Sequence, residues 1–274
     1  MNILKRILNI IFPAACRKCG GSVSSDAPTA CFCKRCWDAI KWFDGPCCAR
    51  CGVPYPLMSA VSLGNPSNYP SFPRKWESRL LPAFWIPASA GMTCLAPGHL
   101  CGACRKNPLS FDGAISAGPY EGVLAEAIKL FKYKKKVHVG RALAHSIIPL
   151  SPPLEKGNFV MPVPLHPSRL REREFNQSAI LASVIGERLG IPVLTDILLR
   201  ERHTKPQVEL DMKERKKNVV GAFTVQNKEL IIDKDIILVD DVYTTGSTVN
   251  ECAKALKKNG AKKVCVVTIA RMAG

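Results

Sequence analysis

Four Cys-x-x-Cys pairs crowd the first 104 residues of this 274-residue chain, and they constrain its folding more than any other feature. The pairs are Cys16/Cys19, Cys33/Cys36, Cys48/Cys51 and Cys101/Cys104. Two residues between thiolates let a tight turn aim both sulfurs at one point, and two such knuckles complete a tetrahedral zinc site. Gly20, Gly52 and Gly102 stand at three of the pairs, where a knuckle often needs positive φ. The eight cysteines therefore predict two structural zinc sites. Cys31, Cys47 and Cys94 are left over in this region. Cys31 competes with Cys33, and Cys47 with Cys48, so the register of two knuckles stays open by a residue or two.

The rival reading of so many cysteines is a disulfide framework, which would need export from the cell. Lys5-Arg6 followed by Ile7 to Phe12 imitates an export signal, and Pro13-Ala14-Ala15-Cys16 imitates a lipoprotein cleavage site. The apolar stretch is only about six residues, too short for a signal core. Residues 3–12 are instead expected to form a short amphipathic helix, in a cytoplasmic, reducing compartment. The chain is 47% apolar and 22% charged, which excludes a disordered or collagen-like chain. No apolar run approaches the ~18 residues of a membrane span.

Between the third and fourth knuckles the composition changes. Residues 57–97 are rich in Pro, Ser, Ala and Trp and lack helical or strand periodicity. A connection of about 40 residues within a zinc module is far beyond the usual length and reads as an insertion, expected to be poorly ordered and functionally neutral. The stretch from Phe72 to Thr93 looks like translated genomic repeat elements. Base stacking by Trp76 and Trp85 is the weaker alternative.

From Phe111 onward strands and helices alternate. Phe111 to Tyr120 reads as a strand or hairpin, followed by helices at about 122–133 and 137–148. Phe159 to Val163 reads as a short buried strand, and Asn176 to Leu189 as an amphipathic helix closed by Gly190. Asp235–Val239, Thr248–Lys258 and Val264–Ala270 form the clearest βαβ unit. Strands apolar throughout imply a parallel sheet covered on both faces, with ligands at the carboxyl ends of its strands.

At such an end stands Asp240-Asp241-Val242-Tyr243-Thr244-Thr245-Gly246-Ser247-Thr248. The turn 244–248 offers backbone N–H groups and four hydroxyls at the positive end of a helix dipole, and Gly246 lets the backbone close around an anion. The two carboxylates would repel a bare phosphate. They make sense if the ligand also carries vicinal hydroxyls, or a magnesium ion. Phosphate, diol and metal together describe a ribose 5-phosphate ester. The Walker pattern is absent.

This loop resembles the phosphoribosyl diphosphate (PRPP) loop of type I phosphoribosyltransferases, and the remaining motifs narrow the resemblance to the ComF family. They are Phe12-Pro13, Phe111-Asp112, Pro162-Val163-Pro164-Leu165-His166-Pro167, Arg169 to Arg173, Phe175-Asn176-Gln177, Thr204-Lys205-Pro206-Gln207, Arg215 and Asn218. Glu174 stands where the family usually has glycine. The resemblance implies an α/β fold, with a type I phosphoribosyltransferase-like parallel sheet carrying helices on both faces, preceded by a small Cys-rich double zinc ribbon. The expected division is residues 1–110 for the ribbons and 111–274 for the phosphoribosyltransferase domain.

The resemblance also implies roles. Asp240 and Asp241 would bind the ribose 2′- and 3′-hydroxyls and, directly or through water, magnesium. Thr244, Thr245, Gly246, Ser247 and Thr248 would hold the 5′-phosphate. His166, Arg169 and Arg173 would face the diphosphate, although His166 could instead cap the strand end. Arg202 to Gln207, with Lys205, would form a mobile flap. The cations Lys132, Lys134, Lys135 and Lys136 read as a solvated helix end, and Asp233 to Asp235 as a solvated turn.

The net charge is +17, shared as +9 over residues 1–110 and +8 over residues 111–274. Basic side chains at the knuckles (Arg17, Lys18, Lys34, Arg35, Arg105, Lys106) predict salt-sensitive, non-specific binding of single-stranded or duplex DNA. Two readings compete: a phosphoribosyltransferase with an unidentified acceptor, acting in competence with a competence helicase as partner, and a non-catalytic nucleic-acid-binding protein on the same fold. A third, a redox or metal sensor, has nothing of its own to support it, since all four knuckles have structural employment.

Overall fold

The computed structural model describes residues 14–43, 47–55, 99–147, 157–202 and 218–272. The helix expected at 3–12, the inserted segment 57–97 and residues 203–207 of the expected flap fall outside this set.

Four strands make one parallel sheet in the order β1-β6-β5-β2: β1 (Gly113–Pro119), β2 (Phe159–Pro162), β5 (Asp235–Tyr243) and β6 (Lys263–Arg271). Every neighbouring pair is parallel. The inner stretches of the central strands, 236–239 and 264–267, are apolar because each alternate residue enters a different core. Ile237, Val239, Val267 and Ile269 pack with α3 (Gly122–Tyr133), α4 (Val137–Ile147) and α6 (Gln177–Leu189). Ile236, Leu238, Val264 and Val266 pack on the opposite face with α7 (Ser247–Lys258). That second face also receives the antiparallel pair β3 (Leu198–Arg200) and β4 (Phe223–Val225).

The helix ends follow local chemistry. Asn176 caps α6 by accepting from the Ser178 N–H, and Gly190 closes it at φ 66°. A short helix, α5 (Pro167–Arg173), ends on Glu174 at φ 68°. A left-handed φ at a non-glycine residue costs about 1 kcal/mol, which is a physical reason for glycine to be favoured at this position. Glu174 is held there by an ion pair with Lys135, itself at φ 54°.

Two short helices, α1 (Lys34–Asp38) and α2 (Gly102–Lys106), start inside the second and fourth knuckles, N-capped by Cys33 and Cys101 and carrying Cys36 and Cys104. The cysteines gather as Cys16, Cys19, Cys33 and Cys36, and as Cys48, Cys51, Cys101 and Cys104. Within each group all sulfurs lie within 4.8 Å of one another. The Cys19–Cys33 and Cys51–Cys101 separations of 3.7 Å suit the edge of a tetrahedron with ~2.3 Å zinc–sulfur bonds. This resolves the open register: Cys33 and Cys48 are in the clusters, while Cys31 lies outside with its sulfur 3.6 Å from His138 Nε2. Cys47 also stays outside the clusters and is buried. No helix among the described residues is long and apolar enough to cross a membrane.

Candidate functional site

The sheet's carboxyl edge opens into a cavity of about 610 Å³. Strand β5 does not stop at Val239 but runs on to Tyr243, so Asp240 and Asp241 lie within its last four residues rather than in the loop. Both carboxylates line the cavity, as do Thr244, Gly246 and Thr248 from the following turn. Gly246 has φ 74° and is the N-cap of α7, which carries no side-chain cap and no acidic residue in its first turn. An uncapped helix N-terminus on a cavity wall favours an anion. Thr245 and Ser247 are not among the lining residues; their hydroxyls bond each other at 2.8 Å and brace the turn.

Across the cavity, the segment after β2 contributes His166, Arg169 and Arg173. His166 is the N-cap of α5, with Nδ1 accepting from the Ser168 N–H at 3.2 Å, so the capping alternative holds while the ring still borders the cavity. Asn176 donates through Nδ2 to the Val163 carbonyl at 3.0 Å, tying this segment to α6. Arg173 donates to Gln177 Oε1 at 3.1 Å and lies 5.6 Å from the Tyr133 ring centroid. Lys205 is outside the described residues. Arg202, the first residue of the expected flap, donates to the carbonyls of Asn218 (3.1 Å) and Val220 (2.7 Å).

The expectation for Lys132 is corrected. It is not a solvated helix end: its side chain is 17% exposed, and Nζ stands 2.8 Å from Asp241 Oδ1, itself on a side chain 12% exposed. The pair raises the Lys132 pKa against the opposing effect of burial. Ser178, in the first turn of α6, donates to Asp240 Oδ1 at 3.0 Å. Burial first, and the neighbouring Asp241 second, push the Asp240 carboxyl up to about 7. Arg200, at the end of β3, also lines the cavity. Sequence reasoning missed Lys132, Ser178 and Arg200. The only local sign was a lysine one residue past Phe131 on the apolar stripe of α3.

The lining thus holds six lysines and arginines (Lys129, Lys132, Lys134, Arg169, Arg173, Arg200) against three carboxylates (Glu126, Asp240, Asp241). Such a wall suits a ligand of several negative charges bearing hydroxyls for the two aspartates.

A parallel sheet with this site, behind two Cys₄ clusters, defines a phosphoribosyltransferase-like protein with a double zinc ribbon. Residues 176–274 match the phosphoribosyl transferase domain family, and residues 7–65 match the double zinc ribbon domain family. Competence protein F of Haemophilus influenzae is 34% identical over 178 residues, covering 62% of this chain and 78% of that protein. DNA utilization protein YhgH of Salmonella typhimurium is 30% identical over 187 residues, covering 66% of this chain and 82% of that protein. The chain belongs to the ComF family. Among solved structures, a purine phosphoribosyltransferase from Pyrococcus horikoshii aligns at 20% identity with a TM-score of 0.30, over 52% of this chain and 73% of that one.

Proposed function

We propose that this protein binds PRPP with magnesium and transfers its phosphoribosyl group to an acceptor in a DNA-handling process. The observation that carries this reading is the meeting of two features on one cavity: the Asp240–Asp241 pair near the end of β5, and the Gly246 turn that opens α7. The turn would take the 5′-phosphate through its backbone N–H groups and Thr244 and Thr248. Asp240 and Asp241 would accept from the ribose hydroxyls. Arg169, Arg173 and Arg200, and Lys205 from the flap, would face the diphosphate that leaves in the transfer.

The donor set fits magnesium, since paired carboxylates beside a di- or polyphosphate suit a hard cation that keeps most of its waters. Magnesium would neutralise charge on the diphosphate. Lys132 meanwhile holds Asp241 and limits the repulsion between the two carboxylates. The proposed division of labour keeps the ribbons at 1–110 and the transferase at 111–274.

Titration calorimetry with PRPP and Mg²⁺, on the wild type and on Asp240→Asn/Asp241→Asn, tests this. Saturable heat in the wild type and none in the double variant is expected. Equal heats from both would remove the assignment.

A second reading draws on the relatives named for competence and DNA utilization and on the +9 carried by residues 1–110. Here the ribbons bind DNA phosphates and the cavity holds its nucleotide without turnover. Binding to single-stranded or duplex DNA that falls steeply with salt, with no diphosphate released from PRPP, would favour it. A helicase partner belongs to either reading.

A further inference from the structure

The second ribbon does not merely sit beside the phosphoribosyltransferase fold; it grips the strand that backs the phosphate turn. Arg271, the last residue of β6, donates through Nη1 to the Cys51 carbonyl at 2.6 Å, and its Nη2 lies 3.9 Å from the Cys51 sulfur. The same guanidinium lies 4.2 Å from the centroid of the Tyr243 ring. Tyr243 is 4% exposed and is the final residue of β5, immediately before the turn. Its hydroxyl crowds Gly246: a Cβ there would come within 2.2 Å of Tyr243 Oη. The Tyr243 carbonyl accepts from the Met272 N–H at 2.9 Å, so the backbone of Tyr243 is also tied to the residue that follows Arg271.

We propose that Arg271 is a positioning residue for the phosphate turn, transmitting the fixed place of the second zinc knuckle through the Tyr243 ring to Gly246. The physical reasons are three. A zinc ion with four thiolates carries about two net negative charges, and Arg271 is a cation within reach of one of those sulfurs. A planar guanidinium can bond the knuckle with its edge while stacking its face on an aromatic ring, which lysine cannot do. The N-cap glycine sits at φ 74°, so a ring pressed against it limits which backbone N–H groups point into the cavity. Arg271 itself is not among the cavity-lining residues, so it would act through Tyr243 and Gly246, which are.

This inference rests on reading the turn as the 5′-phosphate site, and the experiment separates the two. Full-length wild type, Arg271→Met, Arg271→Lys and Cys101→Ser are titrated with ribose 5-phosphate and, separately, with inorganic pyrophosphate and Mg²⁺, with zinc per chain measured by mass spectrometry. Both Arg271 variants should keep two zinc ions and the wild-type pyrophosphate affinity, yet lose about tenfold in ribose 5-phosphate affinity. Cys101→Ser, which removes a ligand of the second cluster, should drop to one zinc and weaken ribose 5-phosphate in the same direction. Variants that bind ribose 5-phosphate like the wild type overturn the inference alone. Arg271 variants that lose pyrophosphate equally overturn it too, because the effect is then general. A wild type that binds neither ligand overturns the phosphate-site reading and the inference with it.

Discussion

The two ribbons share one ligand pattern but are attached to the rest of the molecule by different physics. The first contributes Phe32, Trp37 and Ile40 to the same buried core as Ile115, Leu124 and Phe131, so its apolar residues continue the α/β interior. The second has a small core of its own, Cys48, Cys51 and Cys104, and meets the sheet through arginines and close backbone contact. Arg50 donates to the Phe111 carbonyl at 2.7 Å, Arg271 holds Cys51, and a Cβ on Gly52 would lie 2.2 Å from the Ala114 carbonyl oxygen. Apolar burial is non-directional and tolerant of salt; arginine contacts are directional and orient what they touch. The oriented attachment is the one that lies behind the cavity.

The severest break of this comparison removes a metal ligand. Cys48→Ser should cost the second ribbon its zinc, whose binding contributes on the order of 10 kcal/mol to small zinc modules. Hydrogen exchange should then show residues 47–55 and 99–106 unprotected while β5 and β6 keep their protection. Loss of protection across the whole sheet would show that the ribbon is a foundation rather than an attachment.

Next in size, Trp37→Ala should lower global stability by about 3 kcal/mol, because the residue is 6% exposed within a shared core. Arg50→Met should cost only about 1 kcal/mol. Urea unfolding of the two variants at low and high salt gives the contrast. The Trp37 deficit should not change with salt, and the Arg50 deficit should shrink. The same salt response in both would erase the distinction drawn between the ribbons.

Charge also does the joining inside the cavity, where Lys132 connects α3 to β5. Lys132→Met leaves Asp241 beside Asp240 without its cation and should destabilise the fold by about 2 kcal/mol. Adding Asp241→Asn to that variant should recover most of the loss, and additive losses in the double variant would refute the pairing.

The smallest expected effect is a pH trend. Asp240 is held near 7 in the folded protein against an ordinary value of 3.8. Between those values the folded chain keeps a proton that the unfolded chain releases. Its contribution to stability is therefore full below the lower value and is lost as pH rises toward 7. Asp240→Asn has no such loss, so its stability relative to the wild type should grow by about 1 kcal/mol from about pH 6 to 7.5 in magnesium-free buffer. A difference independent of pH would contradict the burial of that carboxyl.

Much of the fold was legible because its signals are local. The helices at 122–133 and 177–189 and the strand at 264–270 lie within a residue of where periodicity and capping place them. Asn176 and Gly190 announce the ends of α6 through short-range hydrogen bonding and φ preference. Lys132 was not legible. Its neighbours Lys134, Lys135 and Lys136 make it look like one more solvated cation, and only the packing of α3 against the sheet brings Asp241 to it. Thr245 and Ser247 look the same in sequence as Thr244 and Thr248, and their hydroxyl bond to each other depends on the curvature of a turn that spacing alone does not give.

The sequence by itself determined the four knuckles, the two-faced strands and the order of acids, turn and helix, because each is written in residues a few positions apart. Only the tertiary structure decided which knuckles pair, which sulfurs stay outside the clusters, and that Arg271 reaches from a sheet edge to a knuckle far earlier in the chain. Those contacts close over long loops, and nothing in the residues between them encodes the distance that folding removes.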